Sequence, residues 1–457
     1  FSMHAERNSA EFLLFYKPLT LHYNMNMFEI KEEAEKKPRC LLIGAPPKQN
    51  EPPEPKELQG LVHTLGMEVA DTVVLNRIEP TPSYGIGTGK THEIADRAKE
   101  VQADCIIFDW ELDPSKQRNW EKLTSIPVFD RNEVIIRIFA QRARTKEASL
   151  QVELARLIYS MPRLSHMYGD LARQRGGSYG AKGSGETQQE LDRRQIEEKI
   201  IQIKKELEQV ATNRETQRKQ RARTAAASCA LVGYTNAGKS SLLNGLTGAD
   251  VFVEDKLFAT LDPTTRKLPL SEASSALITD TVGFISNLPH TLIDAFKSTL
   301  EETSLSNLLL LVIDSSDSEC MMQYEQVIKV LEEIGADKIP RLIVLNKFDK
   351  ICSDHATISA LDAAFPGAVK VSAKTHDGFE ELMAQITECL LGTVREYSIP
   401  LERADVVELI RKNGTIESEE WGESAVKLNA RIPGTIDENG KATTRTLSIA
   451  MPWSVPC

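Results

Sequence analysis

The stretch "GYTNAGKS" at 233–240 decides the fold of this 457-residue chain. The apolar run "SCALV" precedes it and "SLLNGL" follows it, so the pattern predicts a buried strand, a glycine-rich turn and a helix in succession. In the spacing G-x-x-x-x-G-K-S, backbone N–H groups surround a phosphate, Lys239 reaches the outer phosphates and the Ser240 hydroxyl holds Mg²⁺. Strand-like and helical segments alternate from 228 to about 392, which predicts a P-loop domain with a doubly wound, mostly parallel sheet.

Three further motifs each end a predicted strand of this domain. "SALITDTVGF" at 275–284 places Asp280 near the magnesium and the Gly283 N–H near the terminal phosphate. "RLIVLNKFD" at 341–349 ends in Asp349, whose carboxylate accepts two hydrogen bonds that guanine offers and adenine does not. "AVKVSAK" at 368–374 suits the guanine O6. Together the motifs predict GTP as the nucleotide and its hydrolysis to GDP and phosphate as the reaction.

The stretch "FATLDPTTRK" at 258–267 is typical of a switch loop, which is ordered by a γ-phosphate and released after hydrolysis. We expect Thr260 to supply the second magnesium hydroxyl, with Thr264 and Thr265 as alternatives. Phe284 stands where many GTPases carry a glutamine that orients the attacking water. The water must then be positioned by backbone groups, by a partner's residue, or by K⁺ held near Asn236, and we expect slow hydrolysis that a target accelerates.

A second glycine–lysine stretch, "GIGTGKT" at 85–91, is one residue short of the phosphate-loop spacing. Tyr84 occupies the place of the first glycine, and "RIEPTPSY" before it is not an apolar strand. We expect a surface loop here, with an anion-binding turn at the start of a helix as the alternative.

The charge of the chain is segregated. Its net charge is −11, yet residues 131–224 hold 20 Lys and Arg against 12 Asp and Glu, a net +8, which leaves −19 for the rest. Heptad-like spacing on both sides of a glycine-rich centre predicts an antiparallel helical hairpin with a basic tip, and a dimerising coiled coil is the alternative. The spaced apolar residues are Leu150, Leu154, Leu157 and Met161 in one arm and Ile196, Ile200, Ile203, Leu207 and Val210 in the other.

We therefore predict a multidomain α/β protein, in which a small α/β domain and the hairpin precede the GTPase domain. The predicted divisions are an extension (1–38), the α/β domain (39–130), the hairpin (131–224), the GTPase domain (225–394) and a small α+β domain (395–457). The longest apolar runs are too short to cross a bilayer, and the seven scattered cysteines are typical of reduced thiols in a cytoplasmic protein. No His/Cys cluster has the spacing of a zinc site.

The segments "GGSYGAKGSGETQQELDRR", "GYTNAGKSSLLNGLTGA", "FATLDPTTR", "DTVGFISNLPHTLIDAFKSTLEE" and "NKFD", in this order, resemble the HflX family of GTPases. The resemblance implies binding to the large ribosomal subunit and, with GTP, splitting or rescue of ribosomes after heat stress or stalling. Residues 163–194 would then contact rRNA near the peptidyl-transferase centre through Arg163, Arg173, Arg175 and Lys182. The tip departs from the family pattern, with Tyr179 inserted and Lys182 and Ser184 replacing Arg and Pro.

The resemblance and the motifs assign a site with Mg²⁺ as cofactor, GTP and GDP as substrate and product, and K⁺ as a candidate second cation. Lys239, Thr260 and Gly283 are the candidate catalytic residues, and Ser240 and Thr260 the candidate magnesium ligands. The nucleotide-binding candidates are Gly233, Tyr234, Thr235, Asn236, Ala237, Gly238, Lys239, Ser240, Ser241, Phe258, Ala259, Thr260, Leu261, Asp262, Asp280, Thr281, Val282, Gly283, Asn346, Lys347, Phe348, Asp349, Ser372, Ala373 and Lys374.

Two other functions remain as alternatives. A tRNA-modifying GTPase would need a reactive cysteine motif at its end, and Cys457 lies in "PWSVPC" without that context. A GTP-switched adaptor at a membrane would need a basic amphipathic helix, which the sequence does not show. We expect a monomer in the cytoplasm without an integral membrane segment, and peripheral membrane association stays open as the alternative location.

Overall fold

The computed structural model describes residues 37–45, 55–77, 81–167, 188–222, 227–249, 256–271, 274–286, 303–431, 435–436 and 442–443. Within them the chain forms a four-stranded sheet, a helical hairpin, a six-stranded sheet and a three-stranded sheet, in that order along the sequence. None of the helices in these ranges is long and apolar enough to cross a membrane. The multidomain α/β architecture predicted from the sequence is confirmed.

The first sheet is wholly parallel, in the order β2-β1-β3-β4. Alternate residues of β1 are buried in two different cores. Cys40 and Leu42 lie in one core, and Leu41 and Ile43 lie in the other. The central strands of a parallel sheet covered by helices on both faces have no solvent side, which is why β1 and β3 are apolar and buried. Its elements are β1 (Arg39–Gly44), α1 (Lys56–Thr64), β2 (Glu68–Val74), α2 (Thr88–Glu100), β3 (Cys105–Phe108), α3 (Pro114–Thr124), β4 (Val128–Asp130) and α4 (Arg131–Arg142).

The helix α4 lies in the first domain rather than in the hairpin, which the sequence predicts to begin at 131. Val134, Ile135 and Phe139 are buried in the same core as Leu42. Asp130 accepts a hydrogen bond from the Glu133 N–H and caps this helix at its start. The apolar face of α4 is buried against the first sheet, so the hairpin itself begins at Lys146.

The hairpin consists of α5 (Lys146–Met167) and α6 (Gln188–Ala222), which pack on each other. Lys199 pairs with Glu153, and Lys146 lies 3.7 Å from Glu206, so the two helices run in opposite directions. The buried apolar contacts between the arms include the predicted seam residues Leu154, Ile196 and Ile203. The antiparallel pairing is confirmed, whereas the tip with Arg173, Arg175 and Lys182 lies outside the described residues.

Arg163 is not available to bind RNA phosphates, contrary to the prediction. Its side chain is 8% exposed, and its Nη2 donates to Asp130 Oδ2 at 2.9 Å and to the Leu112 carbonyl at 3.1 Å. Its Nε donates to Gln117 Oε1 at 2.9 Å. The described end of α5 packs against α3 and β4, so this arginine neutralises a buried aspartate of the first domain.

The second glycine–lysine stretch also differs from expectation. The helix α2 begins inside it at Thr88, and the Thr91 hydroxyl donates to the Gly87 carbonyl at 3.0 Å. Ile86 is 2% exposed, in the core that α2 and α3 share. The surface-loop interpretation is wrong because a buried isoleucine anchors the turn.

The GTPase sheet has the order β10-β9-β8-β5-β7-β6, and its neighbours are parallel except for the edge strand β6, which is antiparallel to β7. The carboxyl ends of β5, β7 and β9 therefore meet at one edge, which is where open α/β sheets bind ligands. The elements are β5 (Ser228–Gly233), α7 (Lys239–Thr247), β6 (Thr264–Pro269), β7 (Ser275–Asp280), β8 (Leu308–Asp314), α8 (Cys320–Glu333), β9 (Arg341–Asn346), α9 (His355–Ala364), β10 (Val369–Lys370) and α10 (Phe379–Leu391).

The third sheet and the helix that packs on it form a small α+β unit. Its order is β11-β13-β12, with antiparallel neighbours, and α11 packs on Ile399, Val426 and Leu428. The elements are β11 (Val394–Pro400), α11 (Ala404–Asn413), β12 (Thr415–Trp421) and β13 (Ala425–Arg431), followed by the short pair β14 (Thr435–Ile436) and β15 (Ala442–Thr443).

Candidate functional site

The phosphate loop connects β5 to α7, and two of its glycines are required by close approaches. A Cβ on Gly233 would lie 2.2 Å from the Val312 carbonyl oxygen. Gly238 has a φ of +90°, and a Cβ there would lie 2.3 Å from Asn346 Nδ2. Larger residues at either position would displace the loop from its neighbours, so the backbone N–H groups keep their arrangement only with glycine.

Lys239 is buried at the centre of the loop. Its Nζ donates to the carbonyl oxygens of Gly233 at 3.1 Å and Tyr234 at 2.9 Å. Burial lowers the pKa of Lys239 to about 8, although the negative charge of Asp280 acts in the opposite direction. The carbonyl cage fixes the ammonium in the loop that would surround the phosphates, which is the position predicted for it.

Three oxygen-bearing side chains cluster where the magnesium is predicted. Ser240 Oγ lies 2.8 Å from Thr260 Oγ1 and donates to Asp280 Oδ2 at 2.6 Å, and Thr260 Oγ1 lies 3.2 Å from the same carboxylate oxygen. Asp280 Oδ1 is buried and is one of the polar atoms in the described part of the chain that lack a hydrogen-bond partner. Desolvation raises the pKa of Asp280, while the charge of Lys239 opposes the shift.

This oxygen cluster fits Mg²⁺. Hydroxyl and carboxylate oxygens are the donors that a hard divalent cation prefers, and an orphaned buried carboxylate oxygen is a costly feature that a nearby cation would relieve. Thr260, rather than its alternatives, reaches the cluster, because Thr265 Oγ1 bonds instead to Thr279 Oγ1 at 2.9 Å, within the β6–β7 pair.

The residue after Gly283 is locked against the phosphate loop. The Thr235 N–H donates to the Phe284 carbonyl at 2.7 Å, and the Phe284 N–H donates to the Gly233 carbonyl at 3.1 Å. The Phe284 ring is 2% exposed and packs in the core shared with the first domain. No water can be oriented by this side chain, so the backbone of the segment is what faces the nucleotide.

The base end of the site is tied to the phosphate loop by Asn346. Its Nδ2 donates to the Ala237 carbonyl at 2.8 Å, and its Oδ1 accepts from the Ala373 N–H at 3.0 Å. The neighbouring Lys347 donates from Nζ to the Asn236 carbonyl at 2.8 Å. The Asn346 amide therefore connects three loops of the predicted nucleotide site.

Asp349 is held in place for reading a base. Its Oδ1 accepts from the Ser372 hydroxyl at 2.7 Å, and that hydroxyl also accepts from the Thr375 N–H at 3.1 Å. Lys374 is exposed beside it, and the Phe348 ring lies under Lys370 Nζ at 5.5 Å from its centroid. A fixed acceptor of this kind matches the two N–H donors on the guanine edge.

Four of the predicted nucleotide-binding residues direct their side chains elsewhere. The Phe258 ring meets Phe139 edge to face at 4.6 Å, and Leu261 and Val282 are buried in the core that includes α1 and α4. Asp262 accepts from the Arg144 N–H at 3.1 Å, the Thr145 N–H at 3.3 Å and the Thr145 hydroxyl. These side chains pack against the first domain or, for Asp262, bond to the root of α5.

The phosphate loop and the switch segment border an open cleft of about 50 Å³, which is lined by Thr235, Asn236, Gly238, Lys239, Ser240, Ser241, Lys256, Phe258, Ala259, Thr260, Thr281 and Gly283. Thr235 accepts the Phe258 N–H at 2.8 Å, which closes the switch segment over the loop. The Thr281 hydroxyl donates to the Leu231 carbonyl at 2.7 Å, inside the sheet. Lys256 belongs to this lining although the motifs did not single it out.

A buried polar cluster joins the site to the first domain, and no sequence motif predicts it. Arg131 Nη2 pairs with Glu57 and donates to the Ser286 carbonyl at 3.0 Å, and its Nη1 donates to Asp109 Oδ1 at 2.9 Å. The Tyr234 hydroxyl bonds to Glu57 and lies 2.6 Å from Ser286 Oγ. The phosphate loop and the segment after Gly283 are thereby fastened to a carboxylate of α1.

Phosphate-loop proteins share the loop, the lysine and the magnesium cluster, and they differ in the base that they recognise. The NKFD loop, with Asp349 held by Ser372, places this domain among the P-loop GTPases. A family model described as "50S ribosome-binding GTPase" matches residues 228–347, and models described as "GTP-binding GTPase N-terminal" and "GTP-binding GTPase Middle Region" match 54–140 and 142–221.

The full-length relatives narrow the class to a family. The chain is 44% identical over 423 residues to "GTPase HflX" of Akkermansia muciniphila, covering 89% of this chain and 97% of that one. It is 42% identical over 382 residues to "GTPase HflX" of Escherichia coli, covering 83% and 89%. A GTP-binding protein of Sulfolobus solfataricus in complex with GDP is 26% identical, with 77% and 98% coverage and a TM-score of 0.41. The chain belongs to the HflX family of GTPases, and it hydrolyses GTP.

Proposed function

We propose that this protein is a cytoplasmic, monomeric factor that binds the large ribosomal subunit in its GTP state and splits or rescues stalled ribosomes under stress. Support comes from the relatives named HflX and from the "50S ribosome-binding GTPase" model that matches the GTPase domain. Within the molecule, the main support is that the switch segment (258–267) contacts both the predicted magnesium site, through Thr260, and the root of the hairpin, through Asp262.

The coupling runs through two residues of that segment. Thr260 Oγ1 contacts Ser240 and Asp280, and two positions later Asp262 binds the backbone and hydroxyl of Thr145. Thr145 Oγ1 also accepts the Ala148 N–H at 3.1 Å, so Asp262 holds the cap of α5. A γ-phosphate that orders Thr260 would thereby fix the hairpin root, and its loss would release both.

The catalytic assignments are part of the proposal. Ser240 and Thr260 would hold Mg²⁺, with Asp280 behind them, and the ion would neutralise charge on the β- and γ-phosphates. Lys239 and the Gly283 N–H would stabilise the γ-phosphoryl group, and K⁺ beside Asn236 is a candidate for further charge. Because Phe284 is buried, the water is positioned by backbone groups, and turnover of the isolated protein is slow.

The test is GTP turnover at constant salt, alone and with purified large or small ribosomal subunits. A rise of tenfold or more with the large subunit only, on the order of target-activated GTPases, is the expected result. No rise with either subunit would refute the ribosomal proposal and favour a tRNA or a membrane-associated partner. Lys239→Ala should abolish subunit splitting, whereas a non-hydrolysable GTP analogue should still support one round.

Two further variants test the parts of the proposal separately. Thr145→Val removes the hydroxyl that Asp262 and Ala148 share, and it should reduce splitting while leaving GTP turnover without ribosomes within twofold of wild type; Thr145→Ser, which keeps the hydroxyl, is the control. The pair Arg173→Glu and Arg175→Glu should weaken large-subunit binding without changing the affinity for free GTP. An unchanged affinity for the large subunit would remove the tip from the mechanism.

A further inference from the structure

Lys256 lines the phosphate cleft from the switch side. It precedes Thr260 by four residues and shares the lining with Asn236, Lys239 and Gly283. Among the described residues that form this lining, Lys239 and Lys256 are the two that carry a positive charge. The cleft therefore has one cation in the phosphate loop and another on the segment that closes over it.

The two lysines stand in different surroundings. Lys239 is buried and donates to the carbonyls of Gly233 and Tyr234, whereas Lys256 is a half-buried residue of the cleft lining. A lysine on a flexible four-carbon stem can bring its ammonium to a phosphate oxygen from such a place. Phe284, whose ring is buried, supplies no polar group to the reaction, so another source of charge at the phosphates has a direct effect on the rate.

The first domain determines where Lys256 stands. The N–H of the next residue, Leu257, donates to Thr64 Oγ1 at 3.2 Å. A Cβ on Gly60 would lie 2.9 Å from Leu257 Cδ1, so the leucine side chain fits against a bare helix backbone. The Thr64 hydroxyl in turn donates to the Gly60 carbonyl at 2.9 Å. One turn of α1, from Gly60 to Thr64, thus contacts Leu257 and holds the switch segment next to Lys256.

We propose that Lys256 is a catalytic residue of GTP hydrolysis. Its ammonium contacts the oxygens of the γ-phosphate, which GDP lacks, and stabilises the negative charge that develops there in the transition state. A water oxygen bonds to the γ-phosphorus, the bond from that phosphorus to the β–γ bridging oxygen breaks, GDP keeps the bridging oxygen, and the proton of the water passes to phosphate and solvent. Lys256 stays protonated throughout, and Thr64 is a positioning residue that acts through Leu257.

The first experiment compares Lys256→Ala and Lys256→Arg with Lys267→Ala, an exposed lysine on β6 that lies outside the cleft lining. Single turnover at saturating GTP is measured without ribosomes, together with the affinity for GDP. We expect Lys256→Ala to lose about tenfold or more in the turnover rate, as expected when charge stabilisation at a transition state is removed. Lys256→Arg should keep more of the rate than Lys256→Ala, Lys267→Ala should match wild type, and GDP affinity should change less than twofold throughout.

A Lys256→Ala turnover rate within twofold of wild type would overturn the assignment. The comparison is made in K⁺ and in Na⁺ buffers. If the two rates are equal and both require K⁺, the charge at the phosphates comes from a bound monovalent cation and not from Lys256. Because the assay contains no ribosomes, its outcome is independent of whether the large-subunit proposal holds.

The contact between Thr64 of α1 and Leu257 allows a second test, at a residue outside the cleft lining. Thr64→Val removes the acceptor for the Leu257 N–H, while Thr64→Ser retains it. We expect Thr64→Val to lower the turnover rate at saturating GTP threefold or more without a matching change in GDP affinity, and Thr64→Ser to restore it. Equal rates in the two variants would overturn the positioning role of Thr64.

Discussion

Replacing Gly283 with alanine should stop hydrolysis with little effect on GDP binding. A Cβ on Gly283 would lie 2.7 Å from Thr235 Cα and 3.0 Å from Lys239 Nζ. Ordinary carbon contacts begin near 3.4 Å, so the Gly283 peptide has to move by about 0.7 Å. The movement is resisted, because the next residue is bonded in both directions to the phosphate loop.

The expected loss of rate depends on the contact between the Gly283 N–H and the γ-phosphate. The Gly283 N–H is the donor assigned to the γ-phosphate, and removing one such preorganised donor costs about 2.7–4 kcal/mol of transition-state stabilisation, or about 10² to 10³ in rate. GDP has no γ-phosphate and so loses no contact with this N–H. We expect GDP affinity to stay within about fivefold, the residual effect arising from the displaced end of Lys239.

The assay is single-turnover hydrolysis at saturating GTP, combined with GDP binding followed by a fluorescent analogue. Gly89→Ala is the matched control, because a Cβ there meets nothing within 4 Å and its φ needs no left-handed conformation. Thermal unfolding of both variants shows whether the domain is intact. A Gly283→Ala variant that hydrolyses GTP within threefold of wild type, or that loses GDP affinity as much as rate, would refute the assigned contact.

Three further outcomes follow from burial and charge. Arg131→Met should lower the free energy of unfolding by about 3 kcal/mol, the lower end of the range for a broken buried ion pair, because it leaves the half-buried Glu57 and Asp109 carboxylates without their cation; a loss below 1 kcal/mol in urea titration would contradict this. Desolvation raises the pKa of Glu121 to about 7, so the folded state binds more protons than the unfolded state between pH 4.5 and 7, and stability falls as pH rises through that window. Glu121→Gln should flatten this profile and gain about 1–2 kcal/mol at pH 8, while the exposed Glu111→Gln should not. Asp349→Asn should weaken GTP binding about 100-fold or more and improve binding of a xanthine nucleotide in competition assays, since the amide can donate to a second carbonyl; retention of GTP preference would remove Asp349 from base recognition.

The sequence was sufficient for the GTPase sheet because each motif follows an apolar run. When strands are parallel, their carboxyl ends share an edge, so Ser240 and Asp280 had to come near each other whatever the details of the loops. The choice of Thr260 over Thr265 also agrees with the structure, where Thr265 belongs to the β6–β7 pair. Local patterns also predicted the pairing of α5 with α6, since complementary seams close to a loop leave few arrangements.

Contacts between distant segments were not predictable in this way. Arg163 belongs to a basic segment, and its partner Asp130 is a helix cap 33 residues earlier that carries no pairing signal. The Tyr234–Glu57 contact spans 177 residues and joins two domains. A single sequence records which side chains can be charged, but tertiary packing decides which of them are buried. The charge count therefore predicted that Arg163 binds RNA phosphates, whereas in the fold it pairs with Asp130.

The placement of the switch segment would couple the proposed nucleotide site to the first domain and to the hairpin root. Thr260 lies between two anchors on the first domain and the hairpin root: Leu257 on Thr64 of α1, and Asp262 on Thr145. Four residues lie between the anchors along the chain, and Phe258 and Leu261 are buried in the same core. Such a short tether has little slack, so Thr260 cannot leave the magnesium cluster by an ångström or more while both anchors hold. If Thr260 is released with the γ-phosphate, as proposed, either an anchor has to break or the first domain has to move with the loop, and both changes would reach the root of α5 without any contact between hairpin and nucleotide.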